Sequence, residues 1–384
     1  MPGWYYSKHI AKMNGLSFNK NILILGKYID SDVLPGPFKV ANRLFNYMNK
    51  LNNNTIFVEY FYKSKTKKSN FIQRLFGQEI IHSSPIVIKM GVFRLFYFLI
   101  KRQPDIIQIA SAESFIITVF LYKFLIKGKI ITIKHGIIKQ EYLENSNYDN
   151  IRKALLYESM EMYFCDAICF MSVNQMEIAK KHYKILEKTF FIVSNGIDEV
   201  FFRNSDTFKT EKVIKIIFYN GFDLMIDRGV AFLIETINKF NRRNEIQLFV
   251  IGQINPNLIN SADFQLVSVP VMPKEKLLSF LVDKHIILKS NRTDSFPIFV
   301  CECMAFGIIP IISEKIGMDR YIENYKNGFL YNSSNQFELL NILEFIFDNK
   351  NLLQPISQEA RKIYHKLNWN RIVQEYIDIY DSMV

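Results

Sequence analysis

Short apolar runs rich in Ile, Val and Phe recur along this chain and alternate with stretches of helical periodicity, and that alternation restricts the fold more than any other feature. The runs are too short and too uniformly apolar for two-faced antiparallel sheets, and they fit strands buried on both faces of a parallel α/β sheet. Asn21–Gly26 (NILILG) is the first such run, and Thr55–Tyr60, Asp105–Ile109, Lys129–Ile133, Ala167–Met171 and Phe190–Val193 continue the series. Helices are expected over about Phe38–Asn49 and Val92–Arg102. A second series starts at Ile214–Tyr219, with a helix over Gly229–Asn238, a strand at Gln247–Ile251 and a helix over Lys274–Val282. At 384 residues the chain is long enough for two such domains.

The stretch Ser290–Tyr331 carries most of the chemical information. Ser295 and Pro297 read as a helix start, a capping hydroxyl followed by a proline near the first helical position. The helix is expected over Ile298–Phe306, stopping at Gly307, with Pro310–Ile312 as a buried strand. Asp294 then precedes a helix N-terminus, and Glu302 lies about two turns in. Unpaired N–H groups and a partial positive charge at such a terminus suit a phosphate. Glu302 is flanked by Phe299, Cys301, Met304 and Ala305, so a carboxylate there needs a partner. His135-Gly136 closes another predicted strand, where α/β proteins place ligand sites.

Composition narrows the partners. Lys and Arg outnumber Asp and Glu by 48 to 37, a net +11, which suits anionic ligands. No nucleic-acid recognition module stands out, so nucleic acid is not an expected partner. Cysteines at 165, 169, 301 and 303 form no metal framework; 165 and 169 read as one helical turn apart, and reduced, buried thiols are expected. The first twenty residues lack a secretory pattern, and the longest apolar stretch, Phe115–Ile126, contains Lys123 and is too short to span a bilayer. A cytoplasmic protein is the expectation. Lys63–Lys68 reads as a basic loop. The region Lys63–Lys129 mixes basic residues with Phe93, Phe96, Tyr97 and Phe98. It fits an anionic membrane surface, or equally an ordinary α/β core with solvated charges.

The ordered set Glu302, Met304-Ala305, Gly307, Pro310 and Asn327-Gly328-Phe329-Leu330, with Asp294 seven residues before Glu302, resembles the signature of retaining glycosyltransferases of family 4 (glycosyl transferases group 1). Ser194-Asn195-Gly196-Ile197-Asp198 is similar to the family's motif at the end of its N-terminal domain, and Trp369 to its Trp-led final helix. The resemblance implies the GT-B fold, two facing Rossmann-like domains. These are an acceptor domain over 1–200, a nucleotide-sugar domain over 201–365, and a helix over 366–384 returning to the first, with a linker near Lys209–Lys215. It implies transfer of a sugar from a nucleotide sugar to a saccharide or lipid-linked saccharide, of the kind built into bacterial surface polysaccharide such as lipopolysaccharide or capsule. Retention and independence of metal follow from the same resemblance, with no cofactor.

By residue, the resemblance implies donor contacts from Gly36, Gly221, Arg228, Ser290, Asn291, Phe296, Pro297, Ile298 and Glu302, the last to the ribose. His135, Arg228 and Asp294 lie at the reacting end, and the backbone around Val269–Met272 holds the base. Two positions depart from the pattern: Phe222 stands where the family has Arg, and Asp294 where it usually has Glu. An epimerase of the same fold, or a nucleotide-sugar-binding protein without turnover, fits the same motifs.

Overall fold

The computed structural model describes residues 20–29, 36–52, 54–61, 71–110, 116–125, 128–144, 151–185, 189–203, 211–221, 229–290, 294–333 and 335–384. The chain divides into two compact units. Unit 1 runs to Asn195 and takes up the chain again over Trp369–Val384; unit 2 is Gly196–Asn368.

Unit 1 begins β1 (Ile22–Leu25), α1 (Gly36–Leu51), β2 (Thr55–Tyr60), α2 (Phe71–Phe76), β3 (Gln78–Ser83), β4 (Ile86–Met90) and α3 (Val92–Arg102). It continues β5 (Ile106–Ile109), α4 (Ile116–Lys123), β6 (Lys129–Lys134), α5 (Ile138–Glu144), α6 (Ile151–Phe164), β7 (Ala167–Phe170), α7 (Val173–His182) and β8 (Thr189–Ile192). The eight strands form one sheet in the order β3-β4-β2-β1-β5-β6-β7-β8. Every pairing is parallel except the β3–β4 hairpin at one edge. β1, β5 and β7 are buried at every position, as strands covered on both faces must be. The β3–β4 hairpin has no counterpart in the sequence expectation.

In unit 2, α8 (Glu199–Arg203) leads to β9 (Ile214–Gly221), α9 (Val230–Asn238), β10 (Ile246–Gly252), α10 (Pro256–Asn260) and β11 (Gln265–Val269). Next come α11 (Lys274–Leu281), β12 (Ile286–Lys289), α12 (Ile298–Phe306), β13 (Ile309–Ser313), β14 (Phe329–Tyr331), α13 (Gln336–Asp348), α14 (Leu353–Arg361) and α15 (Ile363–Leu367). Its six strands are all parallel, in the order β11-β10-β9-β12-β13-β14. The core beneath them is built from Ile216, Phe218, Leu248, Val250, Leu288, Ile309 and Ile311, closed by α9 and α13. The expected linker at Lys209–Lys215 is shortened at its end, because Ile214 and Lys215 already pair with β10.

The last helix, α16 (Trp369–Met383), packs in unit 1. Trp369 stacks on Tyr47 of α1, with ring centroids 6.0 Å apart, and the Tyr380 hydroxyl donates to Gln108 Oε1 of β5 at 2.9 Å. Its buried stripe of Ile372, Val373, Tyr376, Ile379 and Tyr380 has the helical spacing legible in the sequence. All four cysteines are free and buried; Cys165 follows α6 and Cys169 lies in β7, so the two do not share a helix.

Candidate functional site

In unit 2 the strand order reverses between β9 and β12: β10 and β11 build outward on one side, β13 and β14 on the other. At such a reversal the loops leaving two adjacent strands diverge and open a crevice beyond their carboxyl ends. Four pieces of chain meet there. β9 ends in Gly221, and β10 beside it ends in Gly252. α9 starts after Gly229, and β12 runs out into Ser290.

The packing at these ends is backbone against backbone. A Cβ on Gly252 would lie 2.1 Å from the Gly221 carbonyl oxygen, and Gln253 N–H donates to that oxygen at 3.0 Å. A Cβ on Gly229 would lie 2.6 Å from Ser290 Oγ, whose hydroxyl donates to the Gly229 carbonyl at 2.7 Å. Gly221, Gly229 and Gly252 all have positive φ, between 84° and 110°, which side chains on L-residues resist. Ser290 thus ties the end of β12 to the start of α9. On the other side of β9, Tyr219 and Phe299 in the first turn of α12 place their rings 5.3 Å apart. α9 and α12 follow β9 and β12, the strands on either side of the reversal, so both helices begin at the carboxyl edge of the sheet with their N–H ends towards it.

α12 spans the expected residues, but its start is built differently from the expectation. Pro297 occupies the N-cap, and no side chain caps the helix. Ser295 therefore does not cap it. Asp294 instead closes the turn before it: Oδ1 accepts from Phe296 N at 3.2 Å and Oδ2 pairs with Lys289 Nζ at 3.1 Å. Its backbone bridges Ile316, and its carbonyl accepts from Gly317 N at 2.8 Å. Both carboxylate oxygens of Asp294 are engaged within the protein. Lys289, the last residue of β12, is a buried cation that the sequence reading passed over; a lysine ending an apolar run reads as a strand boundary, not as an ion-pair partner. Phe296 is buried edge-on to Tyr321, at 6.0 Å, and Ile298 is half-buried at the first turn of α12. Glu302 is only 3% exposed in the second turn.

The motif's remaining residues shape the sheet. Gly307 ends α12 in the left-handed conformation, φ 104°, and the Ser357 hydroxyl donates to its carbonyl. Asn327 spans its own turn, accepting from Glu323 N at 2.7 Å and donating to Tyr321 O at 2.9 Å. A Cβ on Gly328 would meet Pro310 Cγ at 2.5 Å, so the Asn-Gly pair is what lets β14 lie against β13. Pro270 to Pro273 connect β11 to α11. Phe222, Arg228 and Asn291 lie outside the described residues.

In unit 1 the strand order reverses between β1 and β5. Gly36 is the first residue of α1, the helix that follows β1. His135 follows β6, and its Nε2 sits 2.8 Å from the carbonyl oxygen of Ala110, just past the end of β5. A carbonyl only accepts, so Nε2 carries the proton and Nδ1 keeps its lone pair. Burial, reinforced by the neighbouring Lys134 charge and opposed by the Ala110 bond, lowers the His135 pKa to about 4. The ring is therefore neutral at physiological pH.

A buried ionic cluster holds this loop. Lys134 Nζ lies 2.5 Å from Glu161 Oε2 and 3.6 Å from Glu158 Oε1. Burial alone would discharge the lysine, but the two carboxylates outweigh it and keep its pKa above the ordinary value. Glu158 also accepts from the Ile138 and Lys139 amides at 2.8 and 3.1 Å and from the Tyr183 hydroxyl at 2.6 Å. These bonds pin both ends of the segment 134–139, with His135 inside it. Nothing in the sequence spacing pairs Lys134 with Glu158 and Glu161, which lie on a helix two elements away. Among the described residues no group of three His, Cys, Asp or Glu side chains could hold a metal ion.

Comparison with known proteins agrees with this architecture. The family described as glycosyl transferases group 1 matches residues 202–363, inside unit 2. An uncharacterized glycosyltransferase of Haemophilus influenzae is 24% identical over 256 residues, 64% of this chain and 69% of that one. Sucrose-phosphate synthase from Thermosynechococcus elongatus superposes with a TM-score of 0.74 at 13% identity, covering 95% of this chain and 99% of its own. The Anabaena protein HepE, in complex with UDP, does so with a TM-score of 0.68 at 12% identity, covering 94% and 100%. The fold is that of GT-B glycosyltransferases. The similarity to the glycosyl transferases group 1 family falls on the second unit, where residues 202–363 match it.

Two predictions follow from these contacts. Asp294→Ala strands the buried Lys289 charge and should lower stability by about 3–5 kcal/mol. The apolar pair Lys289→Met with Asp294→Leu should recover most of that loss in urea unfolding. His135 binds its proton near pH 6.5 when unfolded and only near pH 4 when folded, so acid favours the unfolded chain between those values. The His135 contribution to stability is complete above pH 6.5 and is lost as pH falls towards 4. His135→Gln keeps a donor for Ala110 but cannot titrate, and its stability should fall less steeply through that window.

Proposed function

We propose that the chain transfers a glycosyl group from a nucleotide sugar to a saccharide or lipid-linked saccharide, with retention at the anomeric carbon and without a metal ion. The observation that carries this reading is the convergence of Gly221, Gly229, Ser290 and the first turn of α12 at the strand reversal of unit 2. Two helix N-termini and glycines that let backbone approach closely make a cradle for a diphosphate. Glu302, buried in α12, is assigned to the ribose hydroxyls. Arg228 is assigned to the diphosphate, because a guanidinium fork matches phosphate oxygens.

In the proposed step the bond from the anomeric carbon to the diphosphate oxygen breaks and a bond to the acceptor oxygen forms on the same face. The acceptor proton passes to a diphosphate oxygen. Helix termini and Arg228 offset the charge that develops on the leaving diphosphate. His135, being neutral with a free lone pair on Nδ1, serves as an acceptor for a sugar hydroxyl and not as an acid. HepE holds UDP, so the donor is sought first among UDP-sugars. Four free, buried cysteines suit a reducing compartment, and we place the protein in the cytoplasm.

Glu302→Gln and Arg228→Ala should each lower kcat/KM at least tenfold, on the order of 2–4 kcal/mol for loss of a charged contact. A panel of UDP- and ADP-sugars, assayed with and without excess chelator, measures both donor and metal dependence. Unchanged kinetics in folded variants would remove these residues from the site. Activity lost to chelator and restored by magnesium or manganese would overturn the metal-free step.

A further inference from the structure

Outside the candidate site, unit 1 carries a cluster of exposed apolar side chains on α2 and α3. α2 has no buried residue at all, and it exposes Phe71 by 67%, Ile72 by 71% and Phe76 by 60%. Phe76 stacks on Phe93, centroids 5.2 Å apart, and this joins α2 to the outer face of α3. There Phe93, Tyr97 and Ile100, exposed by 52, 55 and 41%, recur at intervals of four and three residues. At about 100° per residue they form one stripe within about 60° of arc. Leu95 and Leu99, which are fully buried, point to the opposite side. α3 is therefore apolar on both sides, while only one side has a core to meet. Six large apolar side chains left in water in one patch is more than scattered exposure accounts for.

Cations border the patch, led by Arg74 on α2 and by Arg94 and Lys101 on α3. From Phe71 to Arg102 there are five Lys or Arg, at 74, 89, 94, 101 and 102, against one acid, Glu79. Arg94 and Lys101 flank the α3 stripe on the same side. Arg74 and Arg94 hold their guanidinium groups over Phe71 and Tyr97, at 5.8 and 5.7 Å from the ring centres, which keeps charge and apolar surface in one layer. A second copy of the chain is a poor occupant, since a two-fold contact would set these cations against themselves. Among the described residues no helix is long and apolar enough to cross a membrane.

We infer that the α2–α3 face docks unit 1 onto an anionic lipid surface. The phenylalanines and isoleucines enter the headgroup boundary, and Arg74, Arg94 and Lys101 meet the lipid phosphates. This docking does not depend on the transfer reaction proposed above, and its test needs no turnover.

Sedimentation of the full chain with vesicles decides it. The chain should partition at least about tenfold more onto phosphatidylcholine mixed with phosphatidylglycerol than onto phosphatidylcholine alone, and salt should release it. Because α2 buries nothing, Phe71→Ser, Ile72→Ser and Phe76→Ser combined should leave the unfolding temperature unchanged and abolish vesicle binding. Arg94→Glu with Lys101→Glu should weaken it at least tenfold. Equal binding to neutral vesicles, full binding by either variant, or a dimer of the native chain that the α2 variant dissociates would each overturn the proposal.

Discussion

At the carboxyl edge of the second sheet, backbone lies against backbone with no room for a Cβ. A Cβ on Gly252 would lie 2.1 Å from the Gly221 carbonyl oxygen, and one on Gly229 would lie 2.6 Å from the Ser290 hydroxyl oxygen. Both close approaches need positive φ as well as absent side chains, so two independent constraints select glycine at the same places. The consequence reaches beyond the loops. Because β9 and β10 end in glycine, and Gly229 leaves room for Ser290, α9 can start close to the sheet beside the end of β12. A charged ligand placed there meets oriented dipoles instead of side chains that must first be ordered.

Unit 1 solves a related problem with charge. Lys134 stays ionised in the interior only because Glu158 and Glu161 lie within 3.6 and 2.5 Å. An ion cluster of this kind contributes little net stability compared with apolar packing, but it fixes geometry, since removing any member strands the others. Glu158 extends that geometry to the first amides of α5, and the short segment carrying His135 is held from both sides. Within that segment burial keeps the imidazole neutral and the Ala110 carbonyl fixes its tautomer.

Much of the fold was legible in the sequence because buried parallel strands leave uninterrupted apolar runs. Thr55–Tyr60, Val92–Arg102 and Ile298–Phe306 begin and end where their composition says they should. The β3–β4 hairpin was not legible: β3 is mostly exposed, so Gln78–Ser83 has no buried face to announce a strand, and the short buried run Ile86–Met90 was passed over. Of the candidate site, Gly221, Gly229 and Ser290 were picked out in the sequence, while Gly252 was not, because its constraint is the neighbouring strand's carbonyl. The Ser295 cap was misjudged, since capping preference is local, and the Lys289 partner of Asp294 arrives from the strand before. Lys289 and the Lys134 cluster could not be read at all. Their meaning lies in partners between 5 and 27 residues away, and no spacing rule links a strand lysine to a helix glutamate across a sheet.

The proposed function requires a nucleotide diphosphate at the carboxyl edge of the second sheet, at the starts of α9 and α12. Hydrogen exchange of backbone amides, followed with and without UDP or ADP, tests it most directly. Bound nucleotide should slow exchange at the starts of α9 and α12, around residues 229–232 and 298–301, and leave the outward strands β11 and β14 unchanged. Protection confined to other elements, with those two helix starts exchanging at the same rate as in the free protein, would contradict it.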